Sequence, residues 1–481
     1  MHNSKLIRTL STLSTKEFKQ FEKDLINIFH KNEKQLLFIK FLSVHFPKLE
    51  KDKITKEKVF KYIYKDKKYT DIRIRELMSA TFRSLKEFLV ILETKSTDFY
   101  YELNLLKQFN NRKLDALYNA QLKTVKNILK KDKYNNKERF KRNYELADIE
   151  YTHFSKNNIR VLDKNIQVKL DNFDFYYFST KLQETCDMLN RQKWLNQEYD
   201  LNLIDEIETL INKHKENYLK HATIICYFEI YKLLQTQDDV NQLNNCITVL
   251  KQNTNSFVDQ EIKTMFDYPQ NYCIAHINKG NEKYTEILFD LQKSLIDEKF
   301  ILVDKFISQI SYRNIVTLAI KLKEYKWAKK FNEDYKEKVS PEKRENSYNM
   351  NKANLFYSNK EYDKTIILLN QVEFADVYYA YYSKVILLKT YYAIKEFETL
   401  SYFITSFKLY LKRNKQLTPV FKVSANLFLS YFKKIFSIAE KIEFLDSIKT
   451  TNKLKKITKE IKNEKNIHNK VWLLEIIEDL T

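Results

Sequence analysis

A single glycine, Gly280, stands in a chain of 481 residues, and that scarcity excludes more chemistry than any motif present admits. At average usage about 34 glycines would be expected. Glycine reaches positive φ without steric cost and lets a backbone approach a phosphate closely. Its near-absence removes the Walker loop, the dinucleotide fingerprint, the kinase glycine loop and the nucleophile elbow. Asn-Gly and Asp-Gly hairpins are missing too, which argues against an all-β fold. The four prolines, Pro47, Pro269, Pro341 and Pro419, fall as punctuation between long helical stretches. The chain is expected to be all-α.

With 43% hydrophobic and 14% aromatic residues the chain can bury a large core. Apolar runs such as Phe88-Leu89-Val90-Ile91-Leu92 are far shorter than the roughly 20 residues of a membrane span. Residues 1–19 carry charges throughout with no apolar h-region, so no secretory leader is expected and a cytoplasmic location is. The net charge is +21. It comes from 72 lysines and only 12 arginines, beside abundant Asn, Ile, Tyr and Phe. That balance fits codon drift in an AT-rich genome better than selection for phosphate, which favours the arginine fork. Cys186, Cys226, Cys246 and Cys273 form no CxxC pair, so reduced, buried thiols are expected.

Three regions are expected: an N-terminal helical domain (1–95), a central long-helix region (96–270) and a helical-repeat region (271–481). In the first, Phe18, Phe21, Leu25 and Phe29 follow helical spacing behind a Ser14–Glu17 capping box. Pro47 closes a helix over 36–46. A further helix from Thr70-Asp71 carries Ile74, Leu77, Met78, Phe82, Leu85 and Leu89 on one face, with Arg73, Arg75 and Arg83 off it. In the second region, Lys123, Lys126, Lys130, Lys133 and Lys137 step along one basic stripe beside apolar Leu122, Val125 and Leu129. Residues 107–142 hold twelve basic residues against three acids. A solvated face is the first reading of such a stripe and a nucleic-acid contact the second.

In the third region Lys323-Glu324-Tyr325 returns as Lys360-Glu361-Tyr362 and as Lys395-Glu396-Phe397, with a looser copy at Glu282-Lys283-Tyr284. A period near 34 with an aromatic after a short turn is the tetratricopeptide pattern. Small residues let the two helices of each hairpin touch: Ala328 in one unit, Ala353 and Thr365 in the next, with Phe356 and Tyr362 as aromatic filling. Leu388 and Leu400 replace the small pair in the last, where looser packing is expected. A tetratricopeptide-like superhelix of stacked hairpins follows, with a concave wall built from the first helix of each. Register places Arg313, Thr317 and Lys321, then Asn354 and Tyr357, then Lys389 and Tyr392, on that wall as partner-binding residues. Cations and amides beside tyrosines suit a peptide with carboxylates.

Several stretches carry a resemblance beyond the repeat. They are Asn172-Phe173-Asp174-Phe175-Tyr176-Tyr177 leading to Lys181-Leu182, Asn271-Tyr272-Cys273-Ile274, and Ile277-Asn278-Lys279-Gly280. Tyr312-Arg313-Asn314-Ile315-Val316 with Trp327-Ala328, and Leu387-Leu388-Lys389-Thr390-Tyr391-Tyr392, complete the set. Together with residues 13–36 they resemble an uncharacterised family of Bacteroidota proteins, although Ile28-Phe29-His30 replaces a Ser-Pro-aromatic turn before Asn32. The resemblance implies a helical-repeat fold and names no chemistry.

No His pair has metal-ligand spacing; His214 and His221 share a helix face about 10 Å apart at 1.5 Å per residue. Asp171 and Asp174 read as a helix start rather than a catalytic pair. No catalytic, cofactor or metal site is expected, so the chain reads as a non-catalytic scaffold. It would bind a protein or peptide, acidic in character, in a concave groove without membrane insertion. A nucleic-acid binder using the basic stripe is the alternative.

Overall fold

The computed structural model describes every residue except 28–32, 66, 97, 157–160, 196–197, 279, 372–375, 443–445 and 465. Phe29, the 28–30 turn with Asn32, and Lys279 therefore lie outside the described residues. The described chain is all-α, with one two-stranded hairpin. It divides by contacts into two units, Met1–Lys133 with Glu138–Asp174, and Tyr134–Lys137 with Phe175–Thr481.

The first unit begins with α1 (Lys5–Leu10), α2 (Thr15–Asn27), α3 (Glu33–Ser43), α4 (Lys56–Tyr64) and α5 (Asp71–Ser96). It continues through α6 (Asp98–Asn111), α7 (Asp115–Lys131) and α8 (Lys137–Ser155), and α9 (Asn165–Leu195) runs on into the second unit. Helix α5 is the hub, packing against α1, α2, α3 and α4. Phe18, Phe21, Leu25, Ile74, Leu77, Met78 and Leu85 meet in that core, as their spacing predicts. The capping box forms: the Ser14 backbone N–H donates to Glu17 Oε2 at 2.7 Å and the Glu17 N–H to Ser14 Oγ at 3.2 Å. The 95/96 division falls at the last turn of α5 and not between contact units.

In the second unit come α10 (Ile204–Lys213), α11 (Lys215–Tyr218), α12 (Ala222–Gln235), α13 (Val240–Gln252), α14 (Asp259–Asn278) and α15 (Lys283–Asp297). Strands β1 (Leu302–Val303) and β2 (Phe306–Ile307) precede α16 (Gln309–Lys321), α17 (Tyr325–Asp334), α18 (Pro341–Ser358) and α19 (Tyr362–Gln371). The chain ends with α20 (Val377–Ala393), α21 (Phe397–Arg413), α22 (Pro419–Ala439), α23 (Ser447–Asn463) and α24 (Lys470–Glu478). Consecutive helices pair as hairpins, and the second helix of each packs on the first helix of the next. First helices also meet directly: α12 on α14, α16 on α18, and α18 on α20. The stack starts at α12, ahead of residue 271. The 270/271 division lies inside α14, one residue past Pro269, where a continuous helix cannot separate domains.

The recurring Lys-Glu-aromatic turn has a backbone cause. Lys323, Lys360 and Lys395 sit at φ +61°, +60° and +59°, in the left-handed region. The next N–H reaches back five residues each time: Glu324 to the Ala319 carbonyl (2.9 Å), Glu361 to Phe356 (2.9 Å) and Glu396 to Tyr391 (3.0 Å). This is the Schellman C-cap, whose left-handed position glycine normally takes. Gly280 takes the same C-cap position after α14, two residues ahead of the Glu282-Lys283-Tyr284 copy, at φ +91°, with Asn281 N–H bonded to the His276 carbonyl at 3.0 Å. A Cβ there would meet nothing within 4 Å, so the backbone and not space asks for glycine. Of eleven non-glycine residues at positive φ among the described residues, seven are lysines, so lysine is the usual stand-in for the missing glycine there. Asp304 (φ +49°) and Lys305 (φ +70°) do the same in the β1–β2 turn, the positive pair that a type I′ turn requires. A glycine-free sequence therefore hid a β-hairpin.

Ala328, Ala353 and Thr365 are buried at the helix crossings, and Leu388 and Leu400 are equally buried in the last unit. Cys186, Cys226, Cys246 and Cys273 are buried free thiols, and burial raises the pKa of each.

Candidate functional site: the first-helix face

The seven residues expected to bind a partner lie on three first helices, α16, α18 and α20. Thr317 and Lys321 are one turn apart on the exposed side of α16. Lys321 Nζ pairs with Glu282 Oε2 of the preceding hairpin at 2.9 Å. Arg313, a turn earlier, is half-buried: its guanidinium carbon lies 3.7 Å from the Tyr382 ring centroid and 6.0 Å from that of Tyr379. The Tyr379 hydroxyl donates to the Gln309 carbonyl at 2.7 Å, so the start of α20 is tied to the start of α16. Arg313 is thus a clasp within the stack as well as a cation on its face. Asn354 is half-buried on α18.

The C-terminal end of the face is covered. Trp472, on α24, stands over Lys389, whose Nζ is 5.0 Å from its centroid. The same indole meets Tyr392 edge-on at 5.9 Å and Phe432 at 5.5 Å. Leu473, Ile476 and Ile477 follow it into the core formed with α20 and α22. Just before α24, His468 Nδ1 is 2.7 Å from the Tyr381 hydroxyl, and its ring lies 4.7 Å from that of Phe421.

The electrostatics record this cover. Burial pushes the Lys389 ammonium down to about 8, with the Glu475 charge acting against it. Burial also raises the Tyr357 phenol to about 12, with Tyr362, the Trp472 indole and Glu475 beside it. His468 is held near 4 by burial alone. Tyr357, Lys389 and Tyr392, expected as open groove lining, are therefore lining that the chain's own last helix occupies. The run Val471-Trp472-Leu473-Leu474-Glu475-Ile476-Ile477 signals an apolar helix, yet nothing in its spacing names the face it would cover.

The other candidate features resolve simply. The basic stripe is not one helix: α7 ends at Lys131 and α8 begins at Lys137. Lys123, Lys126 and Lys130 are exposed on α7 above buried Val125 and Leu129. Lys126 pairs with Glu150 at 2.5 Å, and Arg142 with Asp132 at 2.9 Å. Arg73, Arg75 and Arg83 are exposed, Arg75 pairing with Asp71 at 2.6 Å. His214 closes α10 and His221 precedes α12, so they share no helix face. Asp171 and Asp174 lie within α9 rather than at its start; burial first and Asp171 second raise the pKa of Asp174. Among the described residues no group of three or more His, Cys, Asp or Glu is placed to hold a metal ion. No helix among them is long and apolar enough to cross a membrane.

Comparison with protein-family models, curated proteins and solved structures finds no match.

Proposed function

We propose that the chain is a non-catalytic cytoplasmic scaffold of tetratricopeptide-like hairpins that holds an acidic peptide or protein on its first-helix face. One observation carries this: the face already holds a helix. Helix α24 seats an indole over Lys389 and against Tyr392, with Glu475 contributing a carboxylate charge to their surroundings. A surface that accepts an aromatic anchor beside a cation has the chemistry of a peptide site. Toward α16, Thr317 and Lys321 continue it in the open. The test is capture of partners from the native host by wild type and by Thr317→Glu with Lys321→Glu. Equal melting with loss of the captured protein supports the reading; equal melting with full capture removes this end of the face. Membership of the uncharacterised Bacteroidota family belongs to the same proposal.

A nucleic-acid reading keeps one observation in its favour, the exposed Lys123, Lys126 and Lys130 on α7. Phosphate contacts give affinity that falls with salt at a log–log slope of about −0.9 per phosphate neutralised on duplex. A filter-binding series with wild type and Lys123→Glu, Lys126→Glu, Lys130→Glu decides it.

A further inference from the structure

Helix α24 is nine residues long, Lys470–Glu478. Isolated helices shorter than about 12–15 residues are marginal in water, so this one persists through docking rather than through its own backbone bonds. Its seat is an unusual one for a permanent core element. Leu473, Ile476 and Ile477 pack on apolar neighbours, whereas Trp472 covers Lys389, a cation whose charged form burial disfavours. Covering a lysine costs desolvation that an ordinary aliphatic contact does not. The entry to the helix adds to this: Asn469 is left-handed, at φ +53°. Lys470 Nζ donates to the Lys462 and Glu464 carbonyls at 2.8 and 2.9 Å, fixing the base of α24 to the end of α23. Val471, Glu475, Glu478 and Asp479 of the segment are exposed. An anchored base, a short helix and a seat that includes a half-buried cation describe a flap on the same face assigned to the partner.

We infer that α24 is a displaceable internal ligand, covering Lys389, Tyr392 and Tyr357 until a partner helix of the same chemistry takes its seat. That partner presents an indole, aliphatic residues one, four and five positions on, and a carboxylate three positions on, as Trp472, Leu473, Ile476, Ile477 and Glu475 do. The inference rests on the first-helix face being the partner site, and it adds that the site is self-covered at one end.

Two measurements on the full chain test it. Hydrogen exchange of the wild type at pH 7 should show the α24 amides about 100-fold less protected than those of α22, through opening of α24 alone. A fluorescent synthetic peptide of residues 466–481 should bind full-length Trp472→Ala about tenfold or more tighter than wild type, because the variant no longer fills its own seat. Adding Tyr392→Ala should then remove that binding. Equal protection of α24 and α22 overturns the inference, and so does a peptide that binds Trp472→Ala no better than wild type. If Trp472→Ala lowers the melting of the whole stack, exchange in the wild type decides alone. A wild-type dimer that the peptide dissociates makes a second copy the occupant and overturns a separate partner. The peptide is the chain's own sequence, so these outcomes are independent of whether Thr317 and Lys321 capture a host protein.

Discussion

The two ends of the first-helix face were built by the same repeat and have different fates. At the α16 end, Thr317 and Lys321 stay in solvent, and the contact to the neighbouring hairpin is the exposed Lys321–Glu282 pair. At the α20 end, the equivalent surface with Lys389 and Tyr392 lies under Trp472. The difference is one of position along the stack. Each hairpin buries its apolar side on the next, and α24 packs on α22 and α23 and covers this part of the face. Lys321 is exposed, whereas Lys389, half-buried beneath Trp472, keeps only part of its water.

The largest separation between the ends should come from the cap itself. Leu473→Ala at the covered end should weaken the docking of α24 by about 3 kcal/mol, the usual range for a buried leucine. Thr317→Ala at the open end should change stability by less than about 0.5 kcal/mol. Urea melts of the two variants would contradict the comparison if their losses matched.

Acid should open the same gap. His468 is neutral when folded, with its pKa pushed down to about 4 from 6.5. Between those values the unfolded chain binds a proton that the folded one refuses. Stability from this group is therefore complete above pH 6.5 and lost as pH falls toward 4, by about 3 kcal/mol at most. His221, held near 4 mainly by burial, adds a fall in the same window. His468→Gln should flatten the pH profile by about half, and an unchanged profile would detach His468 from the loss.

Lys389 gives the reverse experiment. Its pKa is lowered to about 8, so at neutral pH the folded state carries a disfavoured charge. Stability should rise with pH from about 8 toward the unfolded value of 10.5, and Lys389→Met should gain about 1 kcal/mol at pH 7. Lys321→Met at the open end should gain nothing measurable by the same melt.

The smallest effects should be alike at both ends, because they belong to the turn. Lys323→Gly and Lys395→Gly relieve the same left-handed strain and should each stabilise by about 0.5–1 kcal/mol. Gly280→Ala should cost about 1 kcal/mol at its φ of +91°. Unequal gains at Lys323 and Lys395 would show that the turns are not equivalent.

Much of the fold was legible in particular residues. The 74–89 stripe, the Ser14–Glu17 box and the Lys-Glu-aromatic turns are local signals, set by 3.6-residue periodicity and by backbone bonds within one turn. The β1–β2 hairpin was not legible, since Asp304-Lys305 adopts the conformation without the glycine that announces it. The stripe from Lys123 to Lys137 also misled: an unbroken rhythm of lysines crosses Asp132–Asn136, where no i to i+4 backbone ladder continues.

For the candidate site the division is sharper. Sequence alone determined that this is a helical chain of stacked hairpins, because near-absence of glycine and proline and a recurring turn act residue by residue. It also placed Arg313, Thr317, Lys321, Asn354, Tyr357, Lys389 and Tyr392 on first helices. Only the tertiary structure decided which of them remain open. Tyr382 lies 69 residues beyond Arg313 and Trp472 lies 83 beyond Lys389, and no local rule ties pairs so distant. Their meeting is set by how the hairpins stack and where α24 docks, and burial by those distant rings is what separates a solvated cation from a covered one.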